Sequence, residues 1–104
     1  MEFSIDRIFV EENLYHVTGA CYSGSVTINS CFLQVYRYLK GRDSEGFSIT
    51  IGKEYIRDIK LQVKQIKAYG TVLDKLPEGM TGELWLTGEG GEHLQPRDLL
   101  VRPD

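Results

Sequence analysis

The sequence predicts an all-β fold, a small closed antiparallel β-barrel of six to seven strands with a Greek-key-like arrangement. The first observation is a hairpin pattern, in which two β-rich runs flank a tight turn at Gly24. The second is that glycine or proline separates most of the other β-rich runs, as in barrels and sandwiches of short strands. The third is the alternation from Phe47 to Ile51, which places three apolar side chains on one face of a strand.

The first part of the chain holds runs that are rich in aromatic and β-branched residues and are bounded by polar or glycine-containing turns. The predicted strands are residues 3–10, 14–22, 26–28 and 31–38. Phe3 and Ile5 are expected to face the interior. Gly24 is expected to form the turn between the second and third strands, because glycine adopts a positive φ without steric cost.

The second part of the chain alternates less regularly. The predicted strands are residues 47–51, 58–68, 83–87 and 94–101. The segment Gly41–Gly46 is charged and bounded by glycines, which predicts an exposed tip. Residues 53–69 are ambiguous, because Ile56, Ile59, Val63 and Ile66 fit helical spacing whereas Ile59, Leu61 and Val63 fit a strand. One short turn of helix is predicted at residues 52–57. Residues 69–79 are expected to be a connection that ends in a Pro-x-Gly turn.

Aromatic residues are numerous for this length, and alternation places several of them outside the barrel core. Tyr36 and Tyr38 share one face of their strand, whereas Trp85 lies on the side opposite Leu84 and Leu86. Exposed aromatic residues near Arg or Lys anchor protein interfaces or stack on bases, and the alternative is that they cover one end of the barrel. The interface candidates are Tyr36, Tyr38, Arg42 and Trp85.

The charge distribution argues against general nucleic-acid binding. The chain has 104 residues, is expected to form one domain over residues 1–104, and carries a net charge of −3. DNA is not expected as a partner, because DNA binding needs a dense positive surface. The basic residues concentrate in one segment, however, and give candidate RNA contacts at Lys53, Arg57, Lys60, Lys64 and Lys67.

The sequence predicts no membrane span, no metal site and no cofactor. Its apolar runs are far shorter than the roughly 20 residues of a spanning helix, and its N-terminus lacks the features of a secretory signal, so a cytoplasmic location is expected. Cys21 and Cys31 are interpreted as small reduced residues rather than a disulfide, although the register of their hairpin is open. His16 and His93 form no recognisable zinc spacing with them, and no catalytic constellation is found.

Short motifs follow one another along the chain: Phe3-x-Ile5-Asp6-x-Ile8-Phe9, Val17-Thr18-Gly19 followed by Gly24, Ile28-x-x-x-Phe32-x-x-Val35, Val63-x-x-Ile66, Gly79-x-x-Gly82-x-Leu84-x-Leu86-x-Gly88, and Asp98-Leu99-Leu100. In order and spacing they resemble the β-barrel second domain of translation GTPases of the elongation-factor Tu type. The resemblance spans nearly the whole chain and implies a stand-alone barrel of that kind. It does not imply GTP hydrolysis, because no G-x-x-x-x-G-K-[ST] motif is present.

The chain departs from that family's pattern at several positions, among them residues 13–16 and Asn29, where the family favours glycine. Arg97 stands where the family usually has a glycine before the last strand. Residues 36–60 are longer than the family's usual connection, and the sequence leaves open whether they form an extra hairpin or a helix.

Three functional hypotheses follow. The leading one is a non-catalytic interaction module of the adaptor, inhibitor or immunity type. It would bind a protein through Tyr36, Tyr38, Trp85 and the charged tip around Arg42. The second is an RNA- or ribosome-associated factor that uses the basic segment 53–67. The third is a barrel that binds a small ligand or a metal.

Overall fold

The computed structural model describes residues 1–102, which form nine strands and one short 3-10 helix at Gly91–His93. The strands are β1 (Glu2–Glu11), β2 (Leu14–Ser23), β3 (Val26–Thr27), β4 (Cys31–Arg42), β5 (Ser48–Ala68), β6 (Thr71–Leu73), β7 (Lys75–Leu76), β8 (Thr81–Glu89) and β9 (Leu99–Val101).

Six of these strands form a closed antiparallel barrel. Neighbouring strands follow the order β4, β9, β1, β2, β8 and β5, and the pairing of β4 with β5 closes the ring. β6 adds a short seventh strand beside β5, while β3 and β7 form a separate two-stranded sheet. The fold class predicted from the sequence, a small closed antiparallel β-barrel, is therefore confirmed.

The barrel encloses one main apolar core. Phe3 and Ile5 of β1, and Leu84 and Leu86 of β8, are almost completely buried. Trp85, between the two leucines, lies on the outer side of β8 and is only partly buried, as the alternation predicted. Each fully buried side chain of this size contributes about 1.5–3 kcal/mol, so the inward-facing residues of the strands supply the main driving force for folding.

The hairpin of β1 and β2 depends on two glycines. Gly24 forms the predicted turn with φ 68°, a conformation that side chains rarely adopt. Gly19 lies against β1, where an added β-carbon would stand 1.8 Å from the carbonyl oxygen of Ser4. The backbones of β1 and β2 therefore approach each other in a way that only glycine permits at position 19.

The segment 69–79, predicted to be a connection, contains two short strands. β6 pairs with the end of β5, and β7 pairs with β3 through Val26 opposite Leu76. Both of these side chains are fully buried in the main core. Gly79 has φ 85° in the predicted turn that follows. The small β3–β7 sheet therefore covers part of the core that the barrel strands leave open.

The prediction of a helical turn at residues 52–57 is wrong. β5 runs unbroken from Ser48 to Ala68 and pairs with β4 here, with Lys53 opposite Tyr38 and Arg57 opposite Val35. Tyr55 has φ 54° and lies at a shift in the pairing register, a bulge that disturbs the period-two pattern. Backbone pairing with β4 outweighs the helical spacing of the isoleucines. Of the two alternatives that the sequence leaves open for residues 36–60, an extra hairpin or a helix, the structure shows the hairpin.

The last strand is shorter than the predicted range 94–101. Only Leu99–Val101 is strand, because residues 91–93 form the 3-10 helix and the next residues form a turn. The Asp98 carboxylate accepts a hydrogen bond from the backbone N–H of Gln95 and closes this turn. β9 therefore enters the barrel from a fixed turn rather than from a longer strand.

Candidate functional site

The most distinctive surface is a hairpin that projects from the barrel, which we call the projecting hairpin (residues 37–54). β4 pairs with β9 only from Gln34 to Tyr36, and β5 pairs with β8 only from Lys60 onward. Between these limits β4 and β5 pair only with each other. The described chain measures 45 × 26 × 25 Å, and this elongation matches a two-stranded extension of a small barrel.

One face of the projecting hairpin is apolar and uncovered. Phe47 and Ile51 are 64% and 59% exposed, and Leu39 and Ile49 are each 39% exposed. Ile51 lies over Gly41, where an added β-carbon would stand 3.2 Å from Ile51 Cδ1. Alternation along both strands places all of these residues on one side. A two-stranded hairpin thus presents an apolar face with no partner among the described residues.

The opposite face of the projecting hairpin is polar. Lys40 Nζ donates a 2.7 Å hydrogen bond to Thr50 Oγ1 across the two strands. At the tip, Arg42 donates to the carbonyl oxygen of Gly46, and the Asp43 carboxylate accepts from two backbone N–H groups. The predicted exposed tip is present and held by these bonds. The hairpin is therefore amphipathic and ends in an ordered, charged turn.

Next to the base of the hairpin, a carboxylate binds several hydroxyl groups. Tyr36 and Tyr38 donate to Glu2 Oε2 at 2.7 and 2.5 Å, and Ser23 donates to Glu2 Oε1 at 2.8 Å. Burial acts to raise the pKa of Glu2, but the three donated hydrogen bonds outweigh it and lower that pKa. Burial, together with the bond to Glu2, raises the pKa of Tyr36.

This cluster changes the role of one interface candidate. Tyr36 is only 4% exposed and packs with Leu99 and Val101, so its ring lies beneath the partly exposed Tyr38. It is not available for direct contact with a partner, because its hydroxyl and ring are both occupied within the chain. Tyr38 is partly exposed and lies 6.2 Å from Tyr22, centroid to centroid.

Trp85 belongs to a different row of aromatic residues on the outside of the barrel. His16 stacks on Trp85 at 4.2 Å between centroids, and Phe9 lies 5.5 Å from His16. Lys67 lies 5.5 Å from the centre of the indole ring. His16 also forms a 3.1 Å hydrogen bond with Glu83. It is a partly exposed strand residue, as the sequence indicated, and its ring and Nε2 atom are both used in contacts within the chain.

The single surface predicted from Tyr36, Tyr38 and Trp85 is therefore wrong. Tyr38, which packs on Tyr36, contacts the end of β2 at Tyr22, whereas Trp85 contacts β2 at His16. Six positions along a strand correspond to about 20 Å, so the two aromatic groups lie far apart. Alternation correctly places Tyr38 and Trp85 outside the core, whereas Tyr36 is buried in a small second cluster with Leu99 and Val101. Only closure of the barrel sets the separation of the two aromatic groups.

The basic segment is divided among different roles. Arg57 binds a buried carboxylate, Lys53 lies 4.3 Å from the centre of the Tyr36 ring, and Lys67 lies against Trp85. Lys60 and Lys64 are exposed, and Lys60 pairs across the strands with Glu89 of β8. These five residues therefore do not form one continuous cationic strip.

A buried ion pair at the base of the hairpin was not predicted from the sequence. Asp98 is 1% exposed and accepts hydrogen bonds from Arg37 Nε at 2.7 Å and from Arg57 Nη2 at 2.8 Å. Its partners lie 61 and 41 positions away, and a lone aspartate in a loop gives no local signal of burial. The pair fixes β9 and its preceding turn to both strands of the hairpin.

The cysteines and histidines form no metal site in the described part of the chain. Within residues 1–102, no group of three His, Cys, Asp or Glu residues is placed to hold a metal ion. Both cysteines are free thiols, and Cys21 Sγ donates to the carbonyl oxygen of Gly24. Burial raises the pKa of the Cys21 thiol. His93 lies on the exposed side of the 3-10 helix.

Comparison with protein-family models, curated proteins and solved structures found no match. The relationship to the second domain of elongation-factor Tu-type GTPases therefore stays a prediction from sequence motifs. Within residues 1–102, no helix has the length and apolar character needed to cross a membrane.

Proposed function

We propose that this chain is a non-catalytic interaction module that binds another protein through the projecting hairpin. The observation that carries the proposal is the uncovered apolar face formed by Leu39, Phe47, Ile49 and Ile51. An isolated two-stranded hairpin is marginally stable in water, and contiguous exposed apolar patches mark interaction sites. A partner that covers this face would stabilise the hairpin and remove the apolar surface from water.

The energetic scale fits a specific interface. Covering each of these half-exposed side chains contributes about 1 kcal/mol or somewhat more, at roughly 25 cal/mol per Å² of apolar surface. Aromatic and large aliphatic residues at the centre of an interface, with charged residues around them, are the usual arrangement of binding hot spots. Ile49 and Ile51 in the middle of the apolar face, and Phe47 beside the charged tip with Arg42, match that arrangement.

The alternative function, an RNA- or ribosome-associated factor, receives less support. Lys60 and Lys64 are exposed, but Arg57 forms an ion pair with Asp98, and Lys67 lies against the ring of Trp85. The net charge of −3 also opposes the long-range attraction that RNA binding uses. The apolar face of the hairpin would not contribute to contacts with the phosphate backbone of RNA. Protein binding accounts for this face, whereas RNA binding does not.

Affinity capture with matched variants tests the proposal. The immobilised wild-type chain is compared with the double variant Ile49→Ser/Ile51→Ser, and quantitative mass spectrometry identifies what each retains from a lysate of the native host. Val72→Ser is the control, because Val72 is also 59% exposed but lies on β6, away from the hairpin. A partner should bind wild type and Val72→Ser alike and be lost from the double variant.

The capture is then repeated with the purified partner and measured by calorimetry. Equal affinity for wild type and the double variant would contradict a role for the apolar face. Retention that disappears after nuclease treatment would instead support the RNA-associated alternative, as would a strong fall in retention between roughly 50 and 200 mM salt.

A further inference from the structure

β4 extends well past the strand that pairs with its outer edge. β9 covers this edge only at Gln34–Tyr36, and the chain before β9 stays with β1, where the Arg97 N–H donates to the carbonyl oxygen of Ile5. Within residues 1–102, no strand pairs with the outer edge of β4 from Arg37 to Arg42. The barrel sheet therefore opens between β4 and β1, with unpaired backbone groups along β4.

A cleft of about 400 Å³ lies in this opening. Its lining includes Tyr22 and Tyr38 as aromatic walls, Leu99 as an apolar contact, and the side chains of Lys40 and Arg97. The cleft thus combines a place for one apolar side chain with cationic groups, directly beside the unpaired strand edge.

The charges around the opening have the opposite sign to the chain as a whole. The cleft lining includes Lys40, Arg97 and Arg37, and of these three cations Arg37 is already paired with Asp98. Glu54 is the single acidic residue of the cleft lining. The net charge of the chain is −3, so this positive region is local. It favours an acidic ligand over a basic one.

Arg97 is the residue that most needs an explanation. Its φ is 77°, a conformation that is strained for any residue other than glycine. Its guanidinium is exposed and takes part in none of the ion pairs within residues 1–102. Arg97 therefore places at the cleft a positive charge that forms no ion pair within residues 1–102.

We propose that an extended acidic segment of the protein partner adds as a strand to the free edge of β4 at residues 37–42. Backbone hydrogen bonds to β4 would supply affinity, while pockets and charges for alternate side chains would supply specificity. An apolar side chain packs in the cleft against Leu99 and the adjoining rings of Tyr22 and Tyr38, and carboxylates lie beside Lys40 and Arg97. This inference rests on the proposed protein-binding function and names the chemistry of the partner.

A second copy of the chain fits the same edge poorly. An antiparallel pairing of residues 37–42 with the same residues of another copy places Arg37 opposite Arg42 at both ends of the pair. Like charges directly opposite each other across two strands are destabilising. An acidic strand reverses this sign, and the free edge is therefore assigned to a different protein.

Fluorescence anisotropy with labelled peptides tests the inference on the full chain. The main probe is a short peptide that alternates glutamate with valine. One comparison peptide carries lysine for glutamate, and another keeps glutamate but has alternate backbone nitrogens methylated. Strand addition needs both the carboxylates and the peptide N–H groups, so we expect the main probe to bind at least about tenfold more tightly than either comparison peptide.

Arg97→Gly is the decisive variant. Glycine adopts the observed φ without strain, so this change removes the guanidinium and leaves the thermal midpoint of unfolding unchanged or higher. We expect affinity for the acidic peptide to fall about tenfold. Arg7→Gln removes an exposed cation of β1 outside the cleft lining and should leave the affinity within about twofold.

Strand addition would be overturned by equal affinity for the glutamate and lysine peptides, by binding that survives backbone methylation, or by no saturable binding of the acidic peptide. Tighter binding of a single-stranded oligouridine would overturn it in favour of RNA. The proposed function is tested separately by the capture experiment. If a partner is captured through Ile49 and Ile51 but the acidic peptide does not bind, strand addition is refuted and the protein-binding function stands.

Discussion

The buried carboxylate of Asp98 gives the sharpest test of how the barrel is held together. In Asp98→Asn the shape is kept, but an amide group replaces one of the oxygens that accept from Arg37, Arg57 and Gln95 at 2.7, 2.8 and 2.9 Å. Removing one partner of a buried ion pair costs about 3–5 kcal/mol. The arginine side chains remain 28% and 35% exposed, so water reduces this cost to about 2–3 kcal/mol.

Urea unfolding measures this difference, with the fluorescence of Trp85, the single tryptophan, as the signal. A loss of about 2–3 kcal/mol corresponds to a fall of roughly 8–24 °C in the thermal midpoint of a domain of this size. Asp74→Asn is the control, because it makes the same chemical change at an exposed position. If the two variants unfold within about 0.5 kcal/mol of each other, the ion pair does not hold β9 to the hairpin.

Three further variants test the core, the backbone and the acidic cluster. Leu84→Ala should cost about 2–5 kcal/mol in urea unfolding, whereas the exposed Val72→Ala should stay within about 0.5 kcal/mol, and similar losses would contradict the assigned core. Gly88→Ala should cost about 2–3 kcal/mol, because Gly88 has φ 140° and an added β-carbon would stand 1.9 Å from a carbonyl oxygen of β5. Gly52→Ala, with open space at the β-carbon position, is its control and should differ little from wild type. Glu2 has a pKa lowered from 4.5, so its ionised form stabilises the fold above that pH. The stability margin of wild type over Glu2→Gln should therefore shrink as the pH falls below about 4.5, and a margin that is constant with pH would refute this assignment.

Much of the barrel is determined locally. Alternation along β8 assigns Leu84 and Leu86 to the interior and Trp85 to the exterior, and the structure places them there. Gly24 marks the turn between β2 and β3 for the same local reason, since only its own backbone has to adopt a positive φ. These features depend on neighbours within a few residues, and the sequence carries them directly.

The helical turn expected at residues 52–57 shows where local reasoning ends. Isoleucine spacing fits both a helix and a bulged strand, and pairing with β4 decides in favour of the strand. The bulge at Tyr55 also breaks the alternation that would have identified the strand.

By itself, the sequence determined that short strands would bury one alternating set of side chains around a common interior, because side-chain direction alternates with every residue of an extended backbone. Only the tertiary structure decided that Tyr36 is covered, that Asp98 meets two arginines, and that β4 extends beyond β9. These outcomes depend on strand register and ring closure. Both bring together residues that are distant in the chain and so leave no pattern in any single segment.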